Sequence, residues 1–168
     1  MEPQKNLEQA LESWQHGRAS LEQVRALAAD LGNQHHAPGI PALIQLLDHD
    51  DEIVRYNAVM SLAFEFHHKP VAEKLLAMLA GDPDDDCRGV AAGGLGSLFQ
   101  NSRDRRILAA LGHSALNDPE EYVRSSAYKS LQIVNGVSRD QHLELLRDQS
   151  LSVDPARVES ILTDKSTI

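Results

Sequence analysis

The stretch Asp82–Phe99, DPDDDCRGVAAGGLGSLF, decides the fold, because related stretches occur on either side of it. One begins at His49 (HDDEIVRYNAVMSLAFEF) and another at Asp118 (DPEEYVRSSAYKSLQIV). In each copy an acidic segment precedes an arginine, an alanine follows three residues later, and a leucine follows four residues after that. The arginines, spaced by 33 and then 36 residues, are Arg55, Arg88 and Arg124. Self-similarity of this kind is typical of a repeat protein.

An apolar segment with helical spacing precedes each copy, so each repeat is predicted to consist of two helices joined by a short acidic turn. The three segments are IPALIQLLD, PVAEKLLAMLA and RRILAALGHSAL. The Asp-Pro pairs at 82–83 and 118–119 favour a helix start, since Asp caps free N–H groups and Pro fits the first turn. The recurring alanines and leucines are predicted to form the core, because a helix pair buries its apolar face only against neighbouring pairs.

Looser apolar spacing on both flanks predicts capping helices within residues 4–32 and 138–164. Gly17 is expected to end the first helix, and Ser20 with Gln23 forms a candidate capping box for the second. About ten helices in five pairs follow from this reading. The predicted fold is an all-α, right-handed α-solenoid in a single domain over residues 1–168, with its clear repeats at 38–136.

The pattern of Asp-Pro, acidic residues, Val-Arg, alanine and leucine resembles HEAT-like repeats of the short bacterial type, which also occur in phycobilisome lyases. The first copy departs from the pattern, since His49-Asp50 stands where the other copies have Asp-Pro. The resemblance implies an armadillo-type stack of helix pairs. It also implies that the motif arginines bridge to acidic turn residues of adjoining repeats.

The balance of charges argues against some classes of partner. With 25 acidic and 16 basic side chains the net charge is −9, and an acidic surface repels phosphate backbones. The single cysteine excludes an intramolecular disulfide, and no segment approaches the roughly 20 apolar residues of a membrane helix. No signal peptide is evident at the N-terminus. We therefore expect an acidic, cytoplasmic protein that binds neither nucleic acid nor membranes, while the oligomeric state stays open.

Four glycines within eight residues of the middle copy need an explanation, because each glycine inside a helix costs roughly 1 kcal/mol relative to alanine. Cys87, Ala91 and Leu95 define the core side of that helix, and the opposite face contains Gly89, Gly93 and Gly96. Gly94 falls near the core, and the resemblance to HEAT-like repeats implies small residues at Gly94 and Gly96, so packing is sufficient to explain these two. A glycine stripe on the concave face would form a shallow floor that another backbone approaches closely. The alternative is that these glycines arose by drift or accommodate a neighbouring element of the same chain.

The equivalent positions of the flanking copies extend this face. Tyrosine and methionine, which occur there, are enriched at protein interfaces, and methionine adapts its shape to a partner. The candidate partner-binding residues are Tyr56, Met60, His67, Gly89, Gly93, Gly96, Ser125, Lys129 and Gln132. We therefore expect a non-catalytic scaffold or adaptor that binds another protein on its concave face. The alternative function is bilin-lyase-like handling of a chromophore, whose propionates Tyr56, His67 and Lys129 would contact.

No motif in the sequence points to catalysis, a metal or a cofactor. The pairs His35-His36 and His67-His68 lack the His-Glu spacing of metal-binding helices, and we expect them at equivalent corners where a second helix ends. The acidic run at 82–86 lacks the turn glycine and terminal glutamate of a calcium loop, so helix capping explains it better. We expect no catalytic residue, no metal ligand and no cofactor.

Overall fold

The computed structural model describes residues 3–148 and 152–164, without the side chains of residues 3–5 and 146. Within these residues the chain forms ten α-helices and no β-strand. It divides into two compact units, Met1–Val71 (unit 1) and Ala72–Ile168 (unit 2), and each is described by itself. The single domain over 1–168 stays a prediction.

Unit 1 contains two helix pairs and three short segments of other helical types. Its helices are α1 (Pro3–Gln15), α2 (Leu21–Asn33), α3 (Ile40–Leu46) and α4 (Glu52–Val59). Short 3₁₀ turns, Ala37–Gly39 and Lys69–Val71, precede and end the second pair, and α4 continues into a π-helical turn, Met60–Glu65. The predicted stop at Gly17, whose φ is 64°, and the predicted capping box of Ser20 and Gln23 are both present.

Unit 2 contains three helix pairs. Its helices are α5 (Ala72–Gly81), α6 (Asp85–Leu98), α7 (Arg105–Asn117), α8 (Glu121–Asn135), α9 (Arg139–Arg147) and α10 (Pro155–Thr163). Helix α6 packs along α8 and against α5, while α7 packs on α8 and on α10. The N-cap of α6 is Asp84, whose carboxylate accepts a hydrogen bond from the Cys87 amide at 2.9 Å, so the capping role predicted for the acidic run is confirmed.

The recurring alanines and leucines occupy the core, as the repeat pattern predicts. Every one of these six side chains has no measurable exposure, and they are Ala58, Ala91, Ala127, Leu62, Leu95 and Leu131. The small alanine and the branched leucine of each copy lie four residues apart on the same helix face and are buried together.

Arg88 on α6 ties two repeats of unit 2 together. It donates from Nε to Asp118 Oδ2 at 2.9 Å and from Nη2 to Asp118 Oδ1 at 3.0 Å, and its Nη1 donates to the Asp82 carbonyl at 3.0 Å. The two side chains are only 11% and 7% exposed. The predicted bridge from Arg88 to the acidic turn of the adjoining repeat is confirmed.

The ion pair changes how both groups titrate. Burial raises the pKa of Asp118, but the hydrogen bonds from Arg88 and from the Glu120 amide, with the charges of Arg88 and Arg124, outweigh burial and hold that pKa below its ordinary value. The same hydrogen bond raises the pKa of Arg88. Both groups therefore stay charged in the folded protein across neutral pH.

The motif arginines also close their own turns. Arg55 Nη1 donates to the carbonyls of His49 and Asp50 at 2.9 Å, and Arg124 Nη1 donates to those of Asp118 and Pro119 at 2.8 Å. In each of the three copies the arginine donates to the carbonyl of the residue six positions before it, which accounts for the constant spacing of the motif. The inter-repeat bridges of Arg55 and Arg124 stay predictions.

Four of the five second helices end alike. A residue with positive φ follows α2, the π-helical turn after α4, α6 and α8: His35 (50°) and His67 (47°) in unit 1, Asn101 (56°) and Gly136 (108°) in unit 2. Helix α10 differs, since Asp164 at its end has a φ of −62°. A left-handed residue at this point turns the chain so that the last helical carbonyls find amide partners. Histidine and asparagine are among the non-glycine residues that tolerate it. The predicted position of the two histidine pairs at equivalent corners is confirmed.

Candidate partner-binding surfaces

An apolar stripe, called the α4 strip below, runs along α4 and onto the first residue of the π-helical turn that continues it. Ile53 and Met60 are 42% and 36% exposed, and Tyr56 between them is half-buried. Residues spaced by three and four positions lie on one helix face, so these side chains form a continuous strip. Tyr56 and Met60 are candidates from the sequence, whereas Ile53 was missed. Ile53 could have been found from the sequence, because a residue three positions before Tyr56 lies on the same helix face.

The π-helical turn that begins at Met60 is fixed by a close contact with α2. The Ser61 hydroxyl donates to the Ala28 carbonyl at 2.6 Å, and a Cβ added to Gly32 would lie 2.9 Å from the Ser61 Cα. The backbone of α2 therefore approaches the π-helical turn as closely as glycine permits. Single-turn π-helical insertions are frequent at functional sites. His67 follows the turn and is exposed at the left-handed corner.

The glycines of α6 correct the expectation of an open stripe. Gly89 and Gly96 are buried, and a Cβ added to either would press on α8. At Gly96 it would lie 2.9 Å from Ser130 Cβ and 3.1 Å from Ser130 Cα, and at Gly89 it would meet the ring of Tyr122. Gly89 and Gly96 therefore accommodate a neighbouring helix of the same chain, which is the alternative that the sequence left open.

The burial of Gly89 and Gly96 has a geometric cause. Helix α6 packs against α5 and also along the length of α8, so its buried arc is much wider than the core stripe read from a single helix. Gly89 and Gly96, one and eight residues after Arg88, lie on the flank of α6 that faces α8. Gly93 lies between them and is half-buried, so it remains beside the surface, and Gly94 is buried as expected.

The three candidate residues on α8 are all half-buried: Ser125, Lys129 and Gln132. Lys129 Nζ donates to the Asp148 carbonyl, so its ammonium is held at the C-terminal end of α9. Gln132 lines a cleft of about 550 Å³ between α8, α9 and α10, together with Gln141, Glu144 and Arg157. This part of unit 2 is polar and hydrogen-bonding, in contrast to the apolar strip of α4.

The model of the family described as HEAT repeats matches residues 6–96 and 72–162. The chain belongs to the HEAT-repeat family. The predicted class, an all-α HEAT-like solenoid, is confirmed by this match and by the helix pairs of both units. The match concerns HEAT repeats as such, so the likeness to the lyases stays a prediction. No curated protein matches the chain.

Within this HEAT framework an inter-repeat bridge of unit 1 was missed. Arg25 on α2 donates from Nε to Asp51 Oδ1 at 2.9 Å and from Nη2 to Asp51 Oδ2. The hydrogen bond from Arg25 lowers the pKa of Asp51 below its ordinary value. The signal was the sequence Val24-Arg25 with Ala28 three residues later, which repeats the motif without the acidic turn before it.

Among the described residues no group of three or more histidine, cysteine, aspartate or glutamate side chains is arranged to hold a metal ion. In the same part of the chain, no helix has the length and apolar character needed to cross a membrane.

Proposed function

We propose that the chain is a scaffold or adaptor of the HEAT class that binds a partner protein through surfaces on its second helices. Stacked helix pairs of this class create extended binding surfaces, which supports a role in protein recognition. In unit 1 the proposed surface is the α4 strip of Ile53, Tyr56 and Met60 with the neighbouring His67. In unit 2 it comprises Gly93, Ser125, Lys129 and Gln132.

The exposed Met60 beside Tyr56 carries the proposal. A large apolar side chain that is 36% exposed on a structured helix gains free energy when a partner covers it. Tyrosine and methionine are enriched at interface centres, and flexible methionine fills irregular gaps. Gly89 and Gly96 contribute indirectly, since they set the close spacing of α6 and α8 beneath the unit 2 surface.

The test is affinity capture from a native lysate followed by a binding titration with the captured protein. Met60→Glu is expected to weaken binding at least tenfold, because it places a charge at the centre of an apolar contact. Leu143→Glu is the matched control, since Leu143 is 41% exposed and lies on α9, outside the proposed surfaces. Gly93→Glu examines the unit 2 surface in the same assay.

Melting curves are compared first, so that only variants that fold like the wild type are interpreted. A partner that binds wild type and Leu143→Glu equally but loses Met60→Glu supports the surface on α4. If a captured protein binds all three variants equally well, the proposed surfaces are wrong and the partner binds another part of the chain.

A further inference from the structure

Unit 2 holds a cleft of about 470 Å³ between its first helices α5 and α7, and this cleft lies outside the proposed partner-binding surfaces. Its apolar walls include Leu76, Leu79 and Ala110, and its polar end includes Ser114, Asn117 and the Arg88–Asp118 ion pair. The volume is large enough for one long side chain with part of its backbone. A cleft with apolar walls and a few polar groups at one end is typical of a binding site.

Both helices end at this cleft. α5 ends at Gly81 and α7 at Asn117, and both terminal residues line it. The last carbonyls of a helix lack intrahelical partners and form the negative end of its dipole, which favours a cation nearby. Neither helix has a basic residue in its last turn.

Carboxylates outnumber the cation at the polar end. Asp82 and Asp118 line this end together with Arg88, and Asp85 and Glu120, which lie outside the lining, act on the Arg88 charge from nearby and help to raise its pKa. Arg88 already uses three nitrogens on Asp118 and on the Asp82 carbonyl. Asp85 and Glu120 are exposed, and neither takes part in the ion pairs found among the described residues, so an incoming cation would still be attracted to this end of the cleft.

Hydrogen-bond acceptors are also available in the cleft. Ser114 is 6% exposed, and its buried Oγ has no hydrogen-bond partner among the described residues. A buried hydroxyl without a partner is unusual in a folded protein. Asn117 Nδ2 donates to the His113 carbonyl at 2.8 Å, which leaves the Asn117 Oδ1 as an acceptor.

We infer that this cleft binds a lysine side chain of a partner protein. The aliphatic stem lies along Leu76, Leu79 and Ala110, and the ammonium donates to the Asn117 Oδ1 and, after rotation of its hydroxyl, to Ser114. Lysine fits better than arginine, because a compact charge on a flexible stem enters a narrow cleft beside an existing guanidinium. The cleft is built mainly from first helices, so the inference stands without the proposed function of the second helices.

The test is an NMR titration of the isotope-labelled full chain with two probes. Nα-acetyl-lysine N-methylamide carries the ammonium, and Nα-acetyl-norleucine N-methylamide has the same stem without it. The lysine probe is expected to shift the amides of residues 110–117 saturably with a millimolar Kd, as befits so small a ligand. The norleucine probe is expected to bind at least tenfold more weakly.

Matched variants separate a local site from general attraction to an acidic protein. Asp85→Asn is expected to weaken lysine-probe binding about fivefold, the effect of one nearby charge in water. Asp86→Asn removes the same charge one residue away and is expected to have a smaller effect, since Asp86 is not among the carboxylates that raise the pKa of Arg88. Absence of saturable shifts, equal binding of both probes, or equal effects of both variants would each overturn the inference.

Discussion

The two units bring second helices together over a glycine and a serine, but they do so in different ways. In unit 2, regular helices α6 and α8 meet where Gly96 faces Ser130. In unit 1, Gly32 faces Ser61, which lies in a π-helical turn and donates to the Ala28 carbonyl. Close approach of helices therefore needs small residues on both sides, and the repeat tolerates either regular or widened helical geometry around them.

The inter-repeat ion pairs differ in a similar way. Asp51 lies four residues before Arg55 and is the N-cap of α4, whereas Asp118 lies six residues before Arg124, and Glu120 is the N-cap of α8. Arg25 and Asp51 are 35% and 11% exposed, against 11% and 7% for Arg88 and Asp118. The same bridge thus forms from different acidic positions, and the unit 2 pair is the more buried.

Arg88→Met is expected to have the largest effect on stability. It leaves the buried Asp118 carboxylate without its cation, and breaking a buried pair in this way costs about 3 kcal/mol of unfolding free energy. Arg25→Met is the matched variant in unit 1 and is expected to lose less, because solvent screens that pair. Urea denaturation measures both, and equal losses would contradict the difference in burial.

Acid titration of stability sharpens the same comparison. The folded-state pKa of Asp118 lies below its ordinary value of 3.8, so the stabilisation that it contributes is present above about pH 3.8 and is lost as the pH falls through the folded-state pKa. The Arg88→Met variant lacks the main cause of that lowering. The free energy of unfolding of this variant is therefore expected to fall less steeply with acid than that of the wild type. Parallel curves would argue against the link between the pKa of Asp118 and stability.

Gly96→Ala is expected to destabilise the protein by about 2 kcal/mol, because the added Cβ presses on the Ser130 backbone. Gly89→Ala meets only the ring of Tyr122, which is 51% exposed and free to turn aside, while the helix gains about 1 kcal/mol of propensity. We expect no loss there. Gly81→Ala, at the open end of α5, controls for the gain in propensity. Equal losses at Gly89 and Gly96 would show that both contacts are equally rigid.

The sequence predicts what depends on neighbours along the chain and misses what depends on neighbours in space. Helix starts such as Ser20 and Asp84, and core residues such as Leu95, follow from local spacing and capping chemistry. The buried state of Gly89 was not predictable, because a single helix shows one core stripe and not the second flank along which α8 packs. The π-helical turn was not predicted for a related reason, since its contacts with α2 come from residues about 30 positions away.

His67→Gly is expected to give the smallest change, a gain of about 0.5–1 kcal/mol, because glycine adopts the left-handed φ of 47° without the strain of a Cβ. Asn101→Gly at the matching corner of unit 2 is expected to show no such gain. There the asparagine Oδ1 accepts a hydrogen bond from the Val137 amide at 3.0 Å, which glycine removes. Thermal and urea unfolding of both variants measure the contrast, and a gain at both corners would mean that the Asn101 hydrogen bond is negligible. Because His67 also belongs to the proposed surface of unit 1, a His67→Gly protein that is more stable yet binds its partner less well would assign the imidazole to recognition rather than to folding.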